Sequence, residues 1–279
     1  MKKVSEKTKT LKRKTDFKKR TGRKTRKPSE LKRNKSWLFY GQSGSGKTTL
    51  SGTFPKPVIL IDFQDEGTES VTDDEVDEVF TVGSIEEMED AYWYIKNTEE
   101  KWGTVVLDTT TAMQRIVVNE IGGRKAKKKG KKAGDWGTMT MKDWGEVGGV
   151  CNRFITDFKN LDMETVFLAQ QRVFDPREED DDGTEGELTP EVGPANIKSV
   201  AGHLCASSSF IGHTFIRMVE YKHKMKRRRR PEYCIRVGPN PVYITKVRKP
   251  RHIKIPSFVV DPSYKTLMEV RKGTYQNGS

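Results

Sequence analysis

Apolar residues gather in short runs, and each run ends in a glycine or a polar residue. Trp37-Leu38-Phe39-Tyr40 leads into Gly41, Val58-Ile59-Leu60-Ile61 into Asp62, Thr104–Leu107 into Asp108, and Thr165–Leu168 into Ala169-Gln170. Short apolar runs without alternation predict strands buried on both faces. Two stretches between them carry helical spacing instead. Ser84 and Glu87 form a capping box, followed by Met88, Ala91, Tyr92 and Ile95 at helical steps. Trp144, Val147, Cys151, Phe154, Phe158 and Leu161 recur at steps of three or four and mark the buried face of a long helix. Strands alternating with helices predict an α/β fold with a mostly parallel central sheet flanked by helices. Further on, Tyr233–Val237 and Val242–Val247 flank Gly238-Pro239-Asn240-Pro241, which predicts a C-terminal β-hairpin. There are no internal repeats.

Charge changes this picture at the N-terminus. Residues 1–35 hold 17 Lys and Arg against three acidic residues, more than the net +13 of all 279 residues, so the rest is close to neutral. Leu11, Phe17 and Leu31 are isolated there, too few to offset the entropy of ordering, so 1–35 reads as a disordered basic arm. Such an arm suits a phosphate backbone, a targeting role or plain solubility. The core is expected over 36–255, with a basic loop at 122–137 and an acidic loop at 173–195, and a tail over 256–279. No uncharged apolar run reaches the ~18 residues of a membrane span, and the charged N-terminus has no apolar segment of a secretory signal. A cytoplasmic protein without a membrane partner is expected. Cys151, Cys205 and Cys234 stand far apart and read as buried thiols; His203, His213, His223 and His252 lack metal-ligand spacing and read as structural.

The segment after the first strand carries specific chemistry. Gly41-Gln42-Ser43-Gly44-Ser45-Gly46-Lys47-Thr48 fits G-x-x-x-x-G-K-[ST] throughout, with Thr49 following. Glycines let the backbone wrap phosphate oxygens with its N–H groups inward, and the helix that follows directs its positive end at the anion. Lys47 is expected at the β- and γ-phosphates of ATP and the Thr48 hydroxyl on Mg²⁺. Asp108, at the end of an apolar strand, has the form of the carboxylate that holds this ion through water.

With these motifs the chain resembles the RecA-type recombinase core, specifically the small RecA-like ATPases encoded by bacteriophages and linked to single-strand annealing. Asp62-Phe63-Gln64-Asp65-Glu66-Gly67-Thr68 is similar to the D-x-E-G-T segment of archaeal and eukaryotic recombinases, in which the Glu activates the attacking water. That makes Glu66 the candidate base; two extra residues before it leave Gln64 and Asp65 as rivals. Phe167-Leu168-Ala169-Gln170-Gln171-Arg172 is similar to F-I-N-Q-x-R of bacterial RecA, which implies that Gln170 senses the γ-phosphate. Lys246-Val247-Arg248 resembles the K-x-K pair that reaches a neighbouring subunit's nucleotide, which implies a trans finger role for Lys246 and Arg248. The resemblance spans roughly 36–255. No F-x-x-A element precedes the phosphate loop, so filament and ring assembly both stay open.

The resemblance also implies a loop for single-stranded DNA after the Asp108 strand. Arg124, Lys125, Lys127, Lys128, Lys129, Lys131 and Lys132 stand there among glycines, and Trp136 just beyond is a candidate for base stacking or for packing. A further cluster, with Arg227 and Arg228 inside Lys222–Arg230, extends the candidate nucleic-acid surface. The stretch from Asp175 to Glu191 is acidic and would repel a phosphate backbone. The leading expectation is a Mg²⁺-dependent, DNA-dependent ATPase in recombination, annealing or repair, in the host cytoplasm if phage-encoded. A single-strand binding protein or a replication protein is its candidate partner. Alternatives are a ring motor or loader, for helicase loading or packaging, and a nucleotide-gated binding protein with negligible turnover.

Overall fold

The structure is a computed structural model. It describes residues 35–63, 67–128, 139–174, 192–223 and 226–276, besides Lys19 and Gly22. The chain divides into Met1–Arg33 and Asn34–Ser279. Of the basic arm, all but Lys19, Gly22 and Lys35 lies outside the described residues.

The strands are β1 (Ser36–Gly41), β2 (Val58–Asp62), β3 (Glu78–Thr81), β4 (Thr104–Asp108), β5 (Glu164–Val173), β6 (Val192–Pro194), β7 (Phe210–His223), β8 (Lys226–Arg236), β9 (Lys246–Val247) and β10 (Phe258–Val260). The helices are α1 (Lys47–Gly52), α2 (Ile85–Asn97), α3 (Thr110–Lys128), α4 (Met141–Lys159), α5 (Lys198–Ser207) and α6 (Tyr264–Lys272), with a 3₁₀ turn at Gly67–Ser70. The sheet runs β3-β2-β4-β5-β1-β7-β8-β10. From β3 to β7 every pairing is parallel; β8 and β10 then add antiparallel, as do the short strands β6 on β5 and β9 on β7.

Strand period two distributes the apolar runs over both faces. Leu38, Tyr40, Ile59, Ile61, Val105, Leu107, Phe167 and Ala169 face α2 to α5. Trp37, Phe39, Val58, Leu60, Val106, Val166 and Leu168 face Leu50 of α1 and Leu267 and Val270 of α6. Because these strands run parallel and in register, the residues that follow the apolar runs, Gly41, Asp62, Asp108 and Gln170, all fall at the same edge.

The long helix forms, with Val147, Cys151, Phe154 and Phe158 buried and an N-terminal box in which Asp143 bonds back to Thr140, but Trp144, expected on the same face, is exposed in its first turn and Leu161 lies buried just beyond its end. The predicted hairpin does not. Tyr233–Arg236 belongs to β8, whose two edges are taken by β7 and β10, so Val242–Val247 has no edge to join. Instead Asn240 Oδ1 accepts from the Val242 and Tyr243 N–H groups at 2.9 and 3.1 Å, and β9 pairs with Phe210 and Ile211. The hairpin that exists is β7–β8, registered from His213–Arg236 to His223–Lys226. Its outer half is charged and exposed, so it shows no apolar run.

Two other boundaries shift. Residues 256–279, expected as a tail, supply β10 and α6 and bury Val259, Leu267 and Val270 completely. The expected basic loop is helix as far as Lys128, because Ile121 and Ala126 are buried and anchor the last turns of α3 despite Gly122 and Gly123. The rest of that loop, with Trp136, lies outside the described residues, as does the acidic stretch 175–191. Among the described residues, no helix is long and apolar enough to cross a membrane.

Because Leu267 belongs to the core, Leu267→Ala should lower the unfolding free energy by about 2–5 kcal/mol in denaturant titrations. A change below about 0.5 kcal/mol would be the result expected of a dispensable tail.

Candidate functional site

The phosphate loop leaves β1 between two parallel neighbours. Gly41 lies opposite Gln170 of β5 on one side and Thr214 of β7 on the other. A Cβ on Gly41 would stand 2.4 Å from both the carbonyl and the hydroxyl oxygen of Thr214, so no side chain fits there. Gly44 and Gly46 have φ of 73° and 81°, in the left-handed region that glycine enters without steric cost. The Ser45 hydroxyl donates to the Gln42 carbonyl at 2.7 Å and meets the Thr214 hydroxyl at 2.7 Å, which ties the loop to β7.

Lys47 is only 6% exposed, and its ammonium donates to the Gly41 and Gln42 carbonyls at 3.2 and 2.8 Å. The Thr48 hydroxyl donates to Asp108 Oδ2 at 2.7 Å, across 60 positions of sequence. Asp108 is buried at the end of β4, and Asp62, also buried, lies opposite it at the end of β2. Gln170 is held by its backbone: its N–H donates to the Thr111 hydroxyl at 3.1 Å and its carbonyl accepts from Ala195 at 2.7 Å. Lys47, Thr48, Asp108 and Gln170 all line a cavity of about 830 Å³, as do Ser43 to Gly46 and Thr49. That volume lies within the range of small-molecule sites.

The cavity continues past the phosphate loop to Thr53, Tyr233, Asp261 and Pro262, which sequence reasoning missed. Thr53 caps the helix that follows the loop, whereas Tyr233, Asp261 and Pro262 are signalled by strand order, because β8 and β10 stand beyond β7 on the sheet. Behind the loop, His213 links β5 to β8. Arg236 donates to its Nδ1 at 3.0 Å, so the proton sits on Nε2, which faces Gln171 Oε1 at 2.9 Å. Burial first, then the charges of Arg236 and Lys47, push its pKa down to about 4.

The other expected site residues divide. Lys246 donates to the Cys205 carbonyl at 2.8 Å and Arg248 to the Ala206 carbonyl at 3.2 Å, at the C-terminus of α5. β9 pairs with the start of β7, whereas the phosphate loop adjoins Thr214 four residues later, roughly 13 Å along the strand. Within the chain these two cations are therefore helix caps, and the structure does not bring them to the cavity. Gln64, Asp65 and Glu66 lie outside the described residues, as do Lys129, Lys131 and Lys132. Lys125 forms an ion pair with Asp143, whose carboxyl is held down to about 2 first by that contact. Arg124 lies 3.9 Å from both Glu120 and Glu146. Lys127 and Lys128 are exposed on the last turn of α3, and Arg227 and Arg228 on β8.

Residues 33–248 match the family model for an AAA domain. No curated protein matches the chain.

Two measurements check this geometry. Gly41→Ala should destabilise the fold by about 1–3 kcal/mol, since its Cβ meets the Thr214 carbonyl as well as the hydroxyl, and rotating a side chain cannot relieve the first contact. His213 binds a proton more readily when unfolded, near its ordinary 6.5, than when folded, near 4. The stability contributed by its neutral form is thus present above about pH 6.5 and lost as pH falls towards 4. Denaturation midpoints between pH 7 and 4.5 should fall more steeply for the wild type than for His213→Gln; parallel curves would contradict the assignment.

Proposed function

The chain belongs to the AAA domain family of P-loop nucleotide-binding ATPases, and on that premise we propose that it is a Mg²⁺-dependent ATPase acting on single-stranded DNA in recombination, annealing or repair. The observation that carries the ATPase reading is the convergence of Lys47, Thr48 and Asp108 at one end of the cavity. The choice of single strands, of a bacteriophage setting and of RecA-type assembly rests on the resemblance at Glu66-Gly67-Thr68 and Gln170.

A hydroxyl and a carboxylate 2.7 Å apart are hard oxygen donors of the kind Mg²⁺ takes when phosphates and water complete its shell. Thr48 and Asp108 would hold the ion, which when bound offsets charge on the transferred phosphoryl group. Lys47 moves from the loop's own carbonyls to phosphate oxygens. The N–H groups from Gly44 to Thr48 hold the phosphates in place. Gln170, flush with Gly41, presents its amide to the γ-phosphate side and reports its presence along β5. The attacking water is activated from the segment after Asp62, with Glu66 the leading candidate and Gln64 and Asp65 its rivals.

DNA binding is supported by the exposed Arg227 and Arg228 on the β7–β8 hairpin and by Lys127 and Lys128 on α3. Cations of this kind displace counterions from a phosphate backbone. Self-association as a filament or ring, and a single-strand binding or replication partner, belong to the same proposal.

Steady-state ATP hydrolysis by the full chain, with and without DNA, tests it. Single strands should stimulate turnover, and Lys47→Ala should abolish it. Stimulation by duplex alone would favour a motor. No response to either would favour a loader or switch, and undiminished turnover in Lys47→Ala would remove the site.

A further inference from the structure

Phosphate-binding residues occupy only part of the cavity. Its reactive end is at Asp108 on β4 and Gln170 on β5; its other end is at Tyr233 on β8 and Asp261 just after β10. Strands lie about 4.8 Å apart, so from β4 across β5, β1 and β7 to β8 is roughly 19 Å. A nucleoside triphosphate with its γ-phosphate at the Asp108 end therefore carries its base to the Tyr233 end. Tyr233 is suited to meet it. Its ring lies over Gly46, 3.1 Å from where a Cβ would stand, yet the residue is 44% exposed and turns the rest of its surface to the cavity rim. Asp261 is fixed beside it by a 2.8 Å bond from its N–H to the Tyr233 carbonyl. It has φ of 46°, the single positive value at a non-glycine residue among those described. A carboxylate held this way accepts hydrogen bonds and donates none.

Resting on the ATPase reading, we propose that Tyr233 and Asp261 form the base-recognition end of the nucleotide site. Tyr233 stacks on a purine ring, and Asp261 accepts a hydrogen bond from the amino group at its 6-position. The two residues come from the antiparallel extension of the sheet, outside the phosphate motif. Tyr233 also lies in the hairpin that carries Arg227 and Arg228, so the occupied base site adjoins the root of the exposed cationic ribbon.

Calorimetric titration of the full chain with ATP, inorganic triphosphate and purine riboside triphosphate separates the parts. Inorganic triphosphate has no base, and purine riboside triphosphate has no 6-amino group. Tyr233→Leu should weaken ATP binding about tenfold, as loss of one stacked base implies, and leave inorganic triphosphate unchanged. Tyr233→Phe should bind both as the wild type does. Asp261→Gly, a residue that adopts φ of 46° without strain, should remove the preference for ATP over purine riboside triphosphate. Equal loss of ATP and triphosphate in Tyr233→Leu would make the ring a prop for the loop and overturn its assignment, as would no loss of either. A preference for ATP retained in Asp261→Gly would overturn that residue's role. If the wild type binds neither ATP nor triphosphate, the nucleotide reading fails and this inference with it.

Discussion

Gly41 and Thr214 come so close that only a residue without a side chain can stand at the end of β1. This contact seats the phosphate loop against β7 and fixes the start of the loop relative to everything β7 carries. On the other side, parallel register brings Gln170 and then Asp108 to the same edge, where bonds to Thr111, Ala195 and Thr48 hold them. The loop thus sits between a sheet wing that ends in polar residues and a wing that turns back antiparallel. The first wing brings Asp108 and Gln170 to the cavity, while the second closes it with Tyr233 and Asp261.

What the sequence made legible follows from this layout. The four central strands could be read because strands buried on both faces are apolar at successive positions. The loop and Asp108 could be read because their chemistry is confined to one contiguous motif and one strand end. The β7–β8 hairpin was misplaced because its outer half carries exposed charged residues, such as Glu220 and Arg229, that bond to each other at 2.9 Å. β10 and α6 were missed because three apolar residues and nine helical ones give a weak pattern, although Val259, Leu267 and Val270 are fully buried. Tyr233 and Asp261 stand 28 positions apart, with no spacing rule to join them. Only the order β8-β10 at the end of the sheet brings them together.

Charge in this chain also depends on context. Arg124, Lys125, Lys127 and Lys128 look equivalent in sequence, yet Lys125 neutralises the buried Asp143 and ties α3 to α4, while Lys127 and Lys128 face water. Lys246 and Arg248 complement carbonyls at the end of α5, the position where a helix favours cations. Arg229 and Arg230 pair with Glu220 and Glu232 on their own hairpin. A count of Lys and Arg therefore overstates the unpaired charge that a helix or strand displays.

The hairpin's dimensions give it a mechanical character. Measured from Thr214, where β7 touches the phosphate loop, to His223 near the turn, the ribbon extends roughly 30 Å. It is a lever whose short end is bonded to Ser45 and whose long end bears the arginines. A tilt of about 2° at the root displaces the tip by about 1 Å over that length. Over that length, a change of angle at the root would be read out as a larger displacement of the charged end.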